Sequence, residues 1–178
     1  MGKATRHACK KSRVKLGKNP DPSYALIDSR SVKTTSAAQG RGYDGGKKVK
    51  GRKQHIVTDV SGHLLHVKVH AANIHDGIAG IDVMRGAKGK YPSLEGVCGD
   101  AAYRKTFEEE AAALGLTVEI VERIKGAGWT VLPKRWRVER TFGWMGGSRR
   151  LSKDYEILTD TVENMVLISH SATLMKRL

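Results

Sequence analysis

Three carboxylates stand in unlike surroundings along this chain of 178 residues. Asp28 closes the apolar run Tyr24-Ala25-Leu26-Ile27, and Asp100 closes Leu94-Glu95-Gly96-Val97-Cys98-Gly99. Glu139 lies in the helix-like, Arg-rich stretch Lys134-Arg135-Trp136-Arg137-Val138-Glu139-Arg140-Thr141-Phe142. Two acids at strand ends and a third on a later helix can gather carboxylate oxygens around paired divalent cations. Two such cations, about 3.5–4 Å apart, stabilise the attacking and leaving oxygens of a phosphodiester displacement. The chain around this trio is basic, with 32 Lys and Arg against 18 Asp and Glu and a formal net charge of +14. An acidic trio in a basic chain points to chemistry on a polyanion.

Each acid also has a plain structural reading. Asp28 before Ser29 suits a turn, Asp100 before Ala101-Ala102-Tyr103 suits a helix N-cap, and Glu139 suits a partner for Arg135 one helical turn earlier. Their order among the expected elements, inside a basic chain, favours the functional reading.

Length and composition fit one globular domain with a real core. A sequence pI near 10 suits nucleic acid, because each neutralised phosphate releases condensed counterions. Cys9 and Cys98 form no Cys-x-x-Cys pair, which disfavours a disulfide framework or a cysteine zinc site and fits a reducing, cytosolic compartment. No apolar run approaches the roughly 18 residues of a membrane span, and the basic N-terminus lacks the apolar stretch of a signal peptide.

Residues 1–18 carry seven Lys or Arg and no acid, which reads as a flexible basic arm over 1–22, ahead of a catalytic domain over 23–178. Tyr24–Ile27 reads as a first strand and the glycine-rich, basic segment 36–53 as a mobile loop. Gln54–Val60 and Leu64–His70 read as a hairpin turned at Ser61-Gly62, with Leu65, Val67 and Val69 facing a core. Asp76 is placed as the cap of a short helix. A strand at 94–98 delivers Asp100, a helix runs from Arg104 to Leu114 and stops at Gly115, and Leu116–Val121 forms another strand. After a turn at Gly126-Ala127-Gly128 comes the helix of Glu139, with Val138, Phe142 and Met145 as its apolar stripe. The last helix starts at Asp160 with Glu163 in capping-box position and Val162, Met165, Ile168, Ala172 and Met175 facing the core. The order predicts an α/β fold, a mixed sheet flanked by helices.

Other motifs are weaker. Gly40-Arg41-Gly42-Tyr43-Asp44-Gly45 spells the dinucleotide fingerprint but lacks the strand before it and the apolar helix after it. Lys47 is followed by Lys48 rather than Ser or Thr, so a Walker loop fails. A phosphate-contacting basic loop is the better reading. Five of the seven His fall between His55 and His75, but without Cys or an H-E-x-x-H helix they read as polar-face histidines.

Several stretches resemble the catalytic domain of bacterial insertion-sequence transposases, the DDE group with a ribonuclease H-like fold. They are Ile27-Asp28-Ser29-Arg30-Ser31-Val32-Lys33-Thr34-Thr35, the loop from Arg41 to Lys53, Gly99-Asp100-Ala101-Ala102-Tyr103, Leu132-Pro133-Lys134-Arg135-Trp136 through Phe142-Gly143-Trp144, and Arg149-Arg150-Leu151-Ser152-Lys153-Asp154-Tyr155-Glu156. The resemblance covers the chain from about Ala25 almost to its end. It implies Asp28, Asp100 and Glu139 as the catalytic, metal-binding triad, Mg²⁺ as cofactor with Mn²⁺ able to substitute, and insertion-sequence ends and target DNA as substrates. Around the acidic Glu many relatives also carry Tyr, Arg and Lys. Here Arg135 fits, but Leu132 and Gly146 stand where those relatives have Tyr and Lys. Relatives also have a helical region upstream of the first Asp, so this chain reads as a truncated copy or the downstream product of a split frame.

The expected activity is metal-dependent DNA strand cleavage and strand transfer, by a homo-oligomer assembled on DNA in the bacterial cytoplasm. Arg135 is placed to position Glu139 or bind phosphate. Lys47, Lys48, Lys50, Arg52, Lys53, Arg149 and Arg150 are the candidate DNA backbone contacts, which give affinity but little base readout. The alternative is a truncated, non-catalytic DNA-binding remnant or a modulator of an intact transposase.

Overall fold

A computed structural model describes residues 2–121 and 135–176, with the side chain of Arg135 excepted. Its centre is β1 (Tyr24–Lys33), whose alternate side chains are buried on both faces at its start. On one edge β1 pairs antiparallel with β3 (Val49–Asp59), and on the other it pairs parallel with β5 (Gly96–Asp100). β6 (Thr117–Val121) continues the parallel side. The far edge of β3 is shared by β4 (Leu64–Ala71) and the short β2 (Gly42–Asp44). The result is a six-stranded mixed sheet in the order β2-β3-β1-β5-β6, with β4 beside β3.

Because successive strand residues point to opposite faces, the sheet separates two cores. Ala25, Ile27, Val57 and Val97 face α2 (Asp76–Lys90) and α3 (Thr106–Ala113), meeting Val83, Met84, Phe107 and Ala111. Leu26, Ile56, Val67 and Cys98 face α4 (Arg135–Gly146) and α5 (Thr159–Met175), meeting Val138, Met145, Val162 and Val166. The mixed sheet flanked by helices is therefore present, as are the hairpin turn at Gly62 (φ +84°) and the helix stop at Gly115 (φ +73°). The turn expected at Gly126-Ala127-Gly128 lies outside the described residues.

Several expectations change, beginning with the first strand, which continues past Ile27 to Lys33. Segment 36–53 is not a loop throughout, since residues 42–44 form β2 and β3 begins at Val49. Two of its glycines serve close approach. A Cβ on Gly51 would lie 1.9 Å from the Val32 carbonyl oxygen, and one on Gly42 would lie 1.8 Å from the Asn73 side chain. The N-terminal segment is not a flexible arm either. It forms α1 (Gly2–Lys15), docked on α5 with Thr5 Oγ1 2.9 Å from Ser171 Oγ. Arg13 of α1 forms a buried ion pair with Asp59.

Two helix starts differ as well. His75, not Asp76, caps α2, accepting the Gly77 amide at 3.2 Å, while Asp76 turns inward to Ser29 and Lys53. Glu163 forms no capping box. Its carboxylate accepts from the Val69 amide at 2.9 Å and from Lys68 at 3.2 Å. The buried stripe of α5 is Val162, Val166, His170 and Leu174, while Ile168 and Met175 are exposed.

Candidate active site

The ladder between β1 and β5 runs Tyr24–Gly96, Ala25–Val97 and Leu26–Cys98. Asp28 and Asp100 each lie two residues beyond the last pair. By alternation they share the sheet face of Leu26 and Cys98, on strands about 4.8 Å apart where paired. That is the face on which α4 packs. Both acids are half-buried. Asp28 Oδ1 accepts the Ser29 amide at 2.7 Å, and Asp100 Oδ1 accepts the Ala102 amide at 2.9 Å, capping a 3₁₀ turn over Ala101–Tyr103. Asp100 thus fills the capping role suggested by the sequence, whereas Asp28 sits inside β1, opposite Ile56, and not in a turn.

Glu139 follows Val138, whose side chain is buried in the core formed with Leu26 and Cys98. Glu139 itself is exposed. Among the described residues no three His, Cys, Asp or Glu converge into a group able to hold a metal ion. The register thus puts the two aspartates on one sheet face, the face on which the helix of Glu139 packs, with no three-carboxylate cage closed among the described residues. All the donors are hard carboxylate oxygens, which suit Mg²⁺. That cation commonly keeps several waters and uses only one or two protein carboxylates plus substrate phosphates.

α4 is held at both ends. Towards its start, Arg137 donates to the Val60 carbonyl, Arg140 to the Ser61 carbonyl at 2.9 Å and Thr141 to the Gly62 carbonyl at 2.9 Å. Towards its end, Arg30 donates to the carbonyls of Phe142 and Leu151, each at 3.2 Å, and to Gln54 at 2.9 Å, with its guanidinium 5.3 Å from the Phe142 ring centre. Burial lowers the Arg30 pKa to about 10, which leaves it cationic at neutral pH. Arg30 lies two residues beyond Asp28 on the same face, so the strand bearing one acid directly fixes the helix bearing another. Reading the sequence missed this residue, although the i+2 spacing from Asp28 was the available signal. The Gly146-Gly147 pair, costing about 1 kcal/mol per Gly inside a helix, marks the end of α4.

Behind Asp100, on the opposite face, runs a buried polar chain. His70 Nδ1 lies 3.0 Å from its acceptor, the Ala71 carbonyl, so His70 Nε2 accepts from His55 Nδ1 at 3.3 Å. His55 Nε2 then accepts the Tyr103 hydroxyl at 2.7 Å. Tyr103 ends the turn that Asp100 caps, so the chain braces that turn against β3 and β4. Burial, with His70 beside it, pushes the His55 imidazole down to about 3 from an ordinary 6.5. The unfolded chain therefore binds a proton before the folded one does. The stability contributed by neutral His55 is full above about pH 6.5 and is lost as pH falls towards 3. His66, pushed down to about 4 chiefly by burial, acts in the same sense. Urea unfolding is expected to show lower stability at pH 5 than at pH 7. His55→Gln should remove up to about 1.4 kcal/mol per pH unit from that slope. A wild-type protein equally stable at both pH values would contradict the neutral chain.

The basic candidates divide. Lys47, Lys48 and Lys50 are exposed, although Lys47 reaches back to the Ser29 carbonyl at 3.4 Å. Arg149 and Arg150 are exposed after α4, with Arg150 2.5 Å from Glu156. Arg52 and Lys53 do not reach the surface. Arg52 is 0% exposed and donates to Asp154 at 3.0 Å and to the carbonyls of Gln39, Glu156 and Ile157. Lys53 is bound to Asp76 at 2.9 Å and to the Ile74 carbonyl at 2.8 Å. These two cations carry structure, not phosphate. Leu132 lies outside the described residues, and Arg135 opens α4.

Solved structures with this architecture include the catalytic core domain of BIV integrase, with 11% identity, TM-score 0.51, and 84% of this chain and 82% of that one covered. The HTLV-2 integrase catalytic core in complex with magnesium, in a trimeric form, gives 17% identity, TM-score 0.51, and coverage of 82% and 83%. The simian T-cell lymphotropic virus intasome gives 14% identity and TM-score 0.55, covering 82% of this chain and 47% of that one. These likenesses define the fold as ribonuclease H-like. A family model, the transposase DDE domain, matches residues 19–174. The chain belongs to that family. Comparison with curated proteins finds no match.

Proposed function

We propose that this protein is the catalytic domain of a DNA transposase, cutting and joining DNA strands at the ends of an insertion sequence. The observation that carries this reading is the placement of Asp28 and Asp100 at matching strand positions beneath the helix of Glu139, in a chain of the DDE family. Asp28, Asp100 and Glu139 would hold Mg²⁺, or Mn²⁺ in its place. When bound, the cation supplies Lewis-acid stabilisation of charge developing on the phosphodiester oxygens. Arg30 keeps α4 in register with β1, and the Tyr103–His55–His70 chain holds the Asp100 turn. Lys48, Lys50 and Arg149 offer exposed charge to backbone phosphates, and a homo-oligomer would assemble on the DNA.

The exposed position of Glu139, with no three-ligand metal group among the described residues, favours the second reading, a DNA-binding domain that modulates an intact transposase without cutting. A supercoiled plasmid carrying the DNA that flanks this protein's reading frame separates the two. Incubation with Mg²⁺ or Mn²⁺ is expected to give nicked or joined products, and EDTA to give none. Retarded plasmid without cleavage in either metal would support the modulator and sink the catalytic reading.

A further inference from the structure

Two clefts adjoin along β1. One, of about 520 Å³, opens beside Arg30, Val32 and Lys33 against Gly146, Leu151 and Lys153. The other, of about 340 Å³, shares Lys33 and Lys153 and continues to Arg41, Tyr43, Lys48 and Lys50. Together they form a path that begins two residues from Asp28. Lys33 lies five residues beyond Asp28, about 17 Å along an extended strand. The lining of the second cleft is five cations, one threonine and one tyrosine, with no acid.

Asp44 and Asp154 at this end both have partners within the fold. Asp44 accepts from Ser31 at 2.5 Å and from the amides of Gly46 and Lys47, each at 3.0 Å, and Asp154 is buried against Arg52. Lys33, Lys48, Lys50 and Lys153 form no ion pair among the described residues. Tyr43 is 56% exposed and pairs with Lys50 in the β2–β3 ladder, so ring and ammonium stem rise from the same face. Burying most of an aromatic ring is the usual outcome for a fold. Here it stands in water, surrounded by cations.

We propose that the two clefts form one track for an unpaired DNA strand leading away from Asp28. Its phosphates lie on Lys33, Lys48, Lys50 and Lys153, and one base stacks on Tyr43. A base inside a duplex already has both faces stacked, whereas an unpaired base can use an aromatic platform in a cationic groove. The proposal rests on the transposase reading for its substrate and adds the form of DNA that this face accepts.

Fluorescence anisotropy with a labelled oligo(dT) 12-mer and a 12-base-pair duplex tests it on the intact chain. Tyr43→Ala is expected to weaken oligo(dT) binding by roughly 5- to 150-fold, the range of one lost base stack, and to leave duplex binding unchanged. Tyr43→Phe, which keeps the ring, should bind oligo(dT) like the wild type. Lys33→Ala with Lys153→Ala should reduce the slope of log K against log salt by about 1.4 for the single strand. Wild-type oligo(dT) affinity in Tyr43→Ala, or equal losses for single strand and duplex, would overturn the track. Plasmid cleavage is read separately. A Tyr43-dependent single-strand site in a protein that never cleaves keeps the track and removes the transposase reading, while cleavage with no Tyr43 effect does the reverse.

Discussion

Asp100→Asn is expected to abolish cleavage while leaving DNA binding and the fold intact, and the same outcome is expected for Asp28→Asn and Glu139→Gln. Each change replaces one oxygen by an amide nitrogen and preserves shape, so the capping bond from the Ala102 amide to Asp100 Oδ1 can persist through the remaining carbonyl. What disappears is the negative charge that would hold the cation, and with it several kcal/mol of stabilisation in the transition state. A loss of about 4 kcal/mol corresponds to roughly 10³-fold in rate. Nicking assays in Mg²⁺ beside retardation of the same DNA measure both quantities. The three positions are not equivalent tests. Asp28 and Asp100 share a sheet face, whereas Glu139 is exposed on α4. Wild-type cleavage by Glu139→Gln would take that residue out of the triad and leave the aspartate pair to act without it.

The largest stability effect is expected at Arg52. Arg52→Gln would leave the Asp154 carboxylate, 1% exposed, without its cation, and would free the carbonyls that Arg52 gathers from residues 39, 156 and 157. Breaking a buried pair by removing one partner costs about 3–5 kcal/mol. Urea unfolding should register that loss. Lys50→Gln, only two residues away but exposed, should fall within about 0.5 kcal/mol of the wild type and act on DNA affinity instead. If Arg52→Gln kept full stability and lost only DNA binding, the burial of Arg52 would have no structural consequence and its phosphate role would return.

The contrast between Arg52 and Lys50 shows what was legible in the sequence. Composition marks both as cations of one basic segment, and a period of two puts both on the same strand face. Their difference is made by Asp154, which is 102 positions away from Arg52 and arrives only through folding. The Tyr103–His55–His70 chain escaped notice for the same reason, its members being brought together by three separate elements. Asp100, by contrast, was readable because it ends its own apolar strand, and Asp28 because it follows the apolar start of β1, although that strand runs on to Lys33. Alternation alone then sets the face. In α5, apolar residues at 162, 165, 166, 167 and 168 occupy nearly every side of the helix, so periodicity could not select the stripe that packs. Glycine in segment 40–51 reads equally as looseness or as close approach, and only the neighbouring strand shows that Gly51 answers to Val32.

The inward pairing of charge also bears on how the molecule meets its substrate. Arg13 with Asp59, Arg52 with Asp154 and Lys53 with Asp76 cancel one another inside the fold, and Arg6 and Lys10 on α1 share Asp21. The surplus of positive charge is thus not spread evenly, and the cleft at the β2–β3 end is lined by five cations and no acid. A lopsided field exerts a torque as well as an attraction, so a tumbling molecule is turned cleft-first before any contact forms. At about 0.1 M salt the field reaches only some 10 Å. The choice of which face arrives is then made in the last nanometre of the approach.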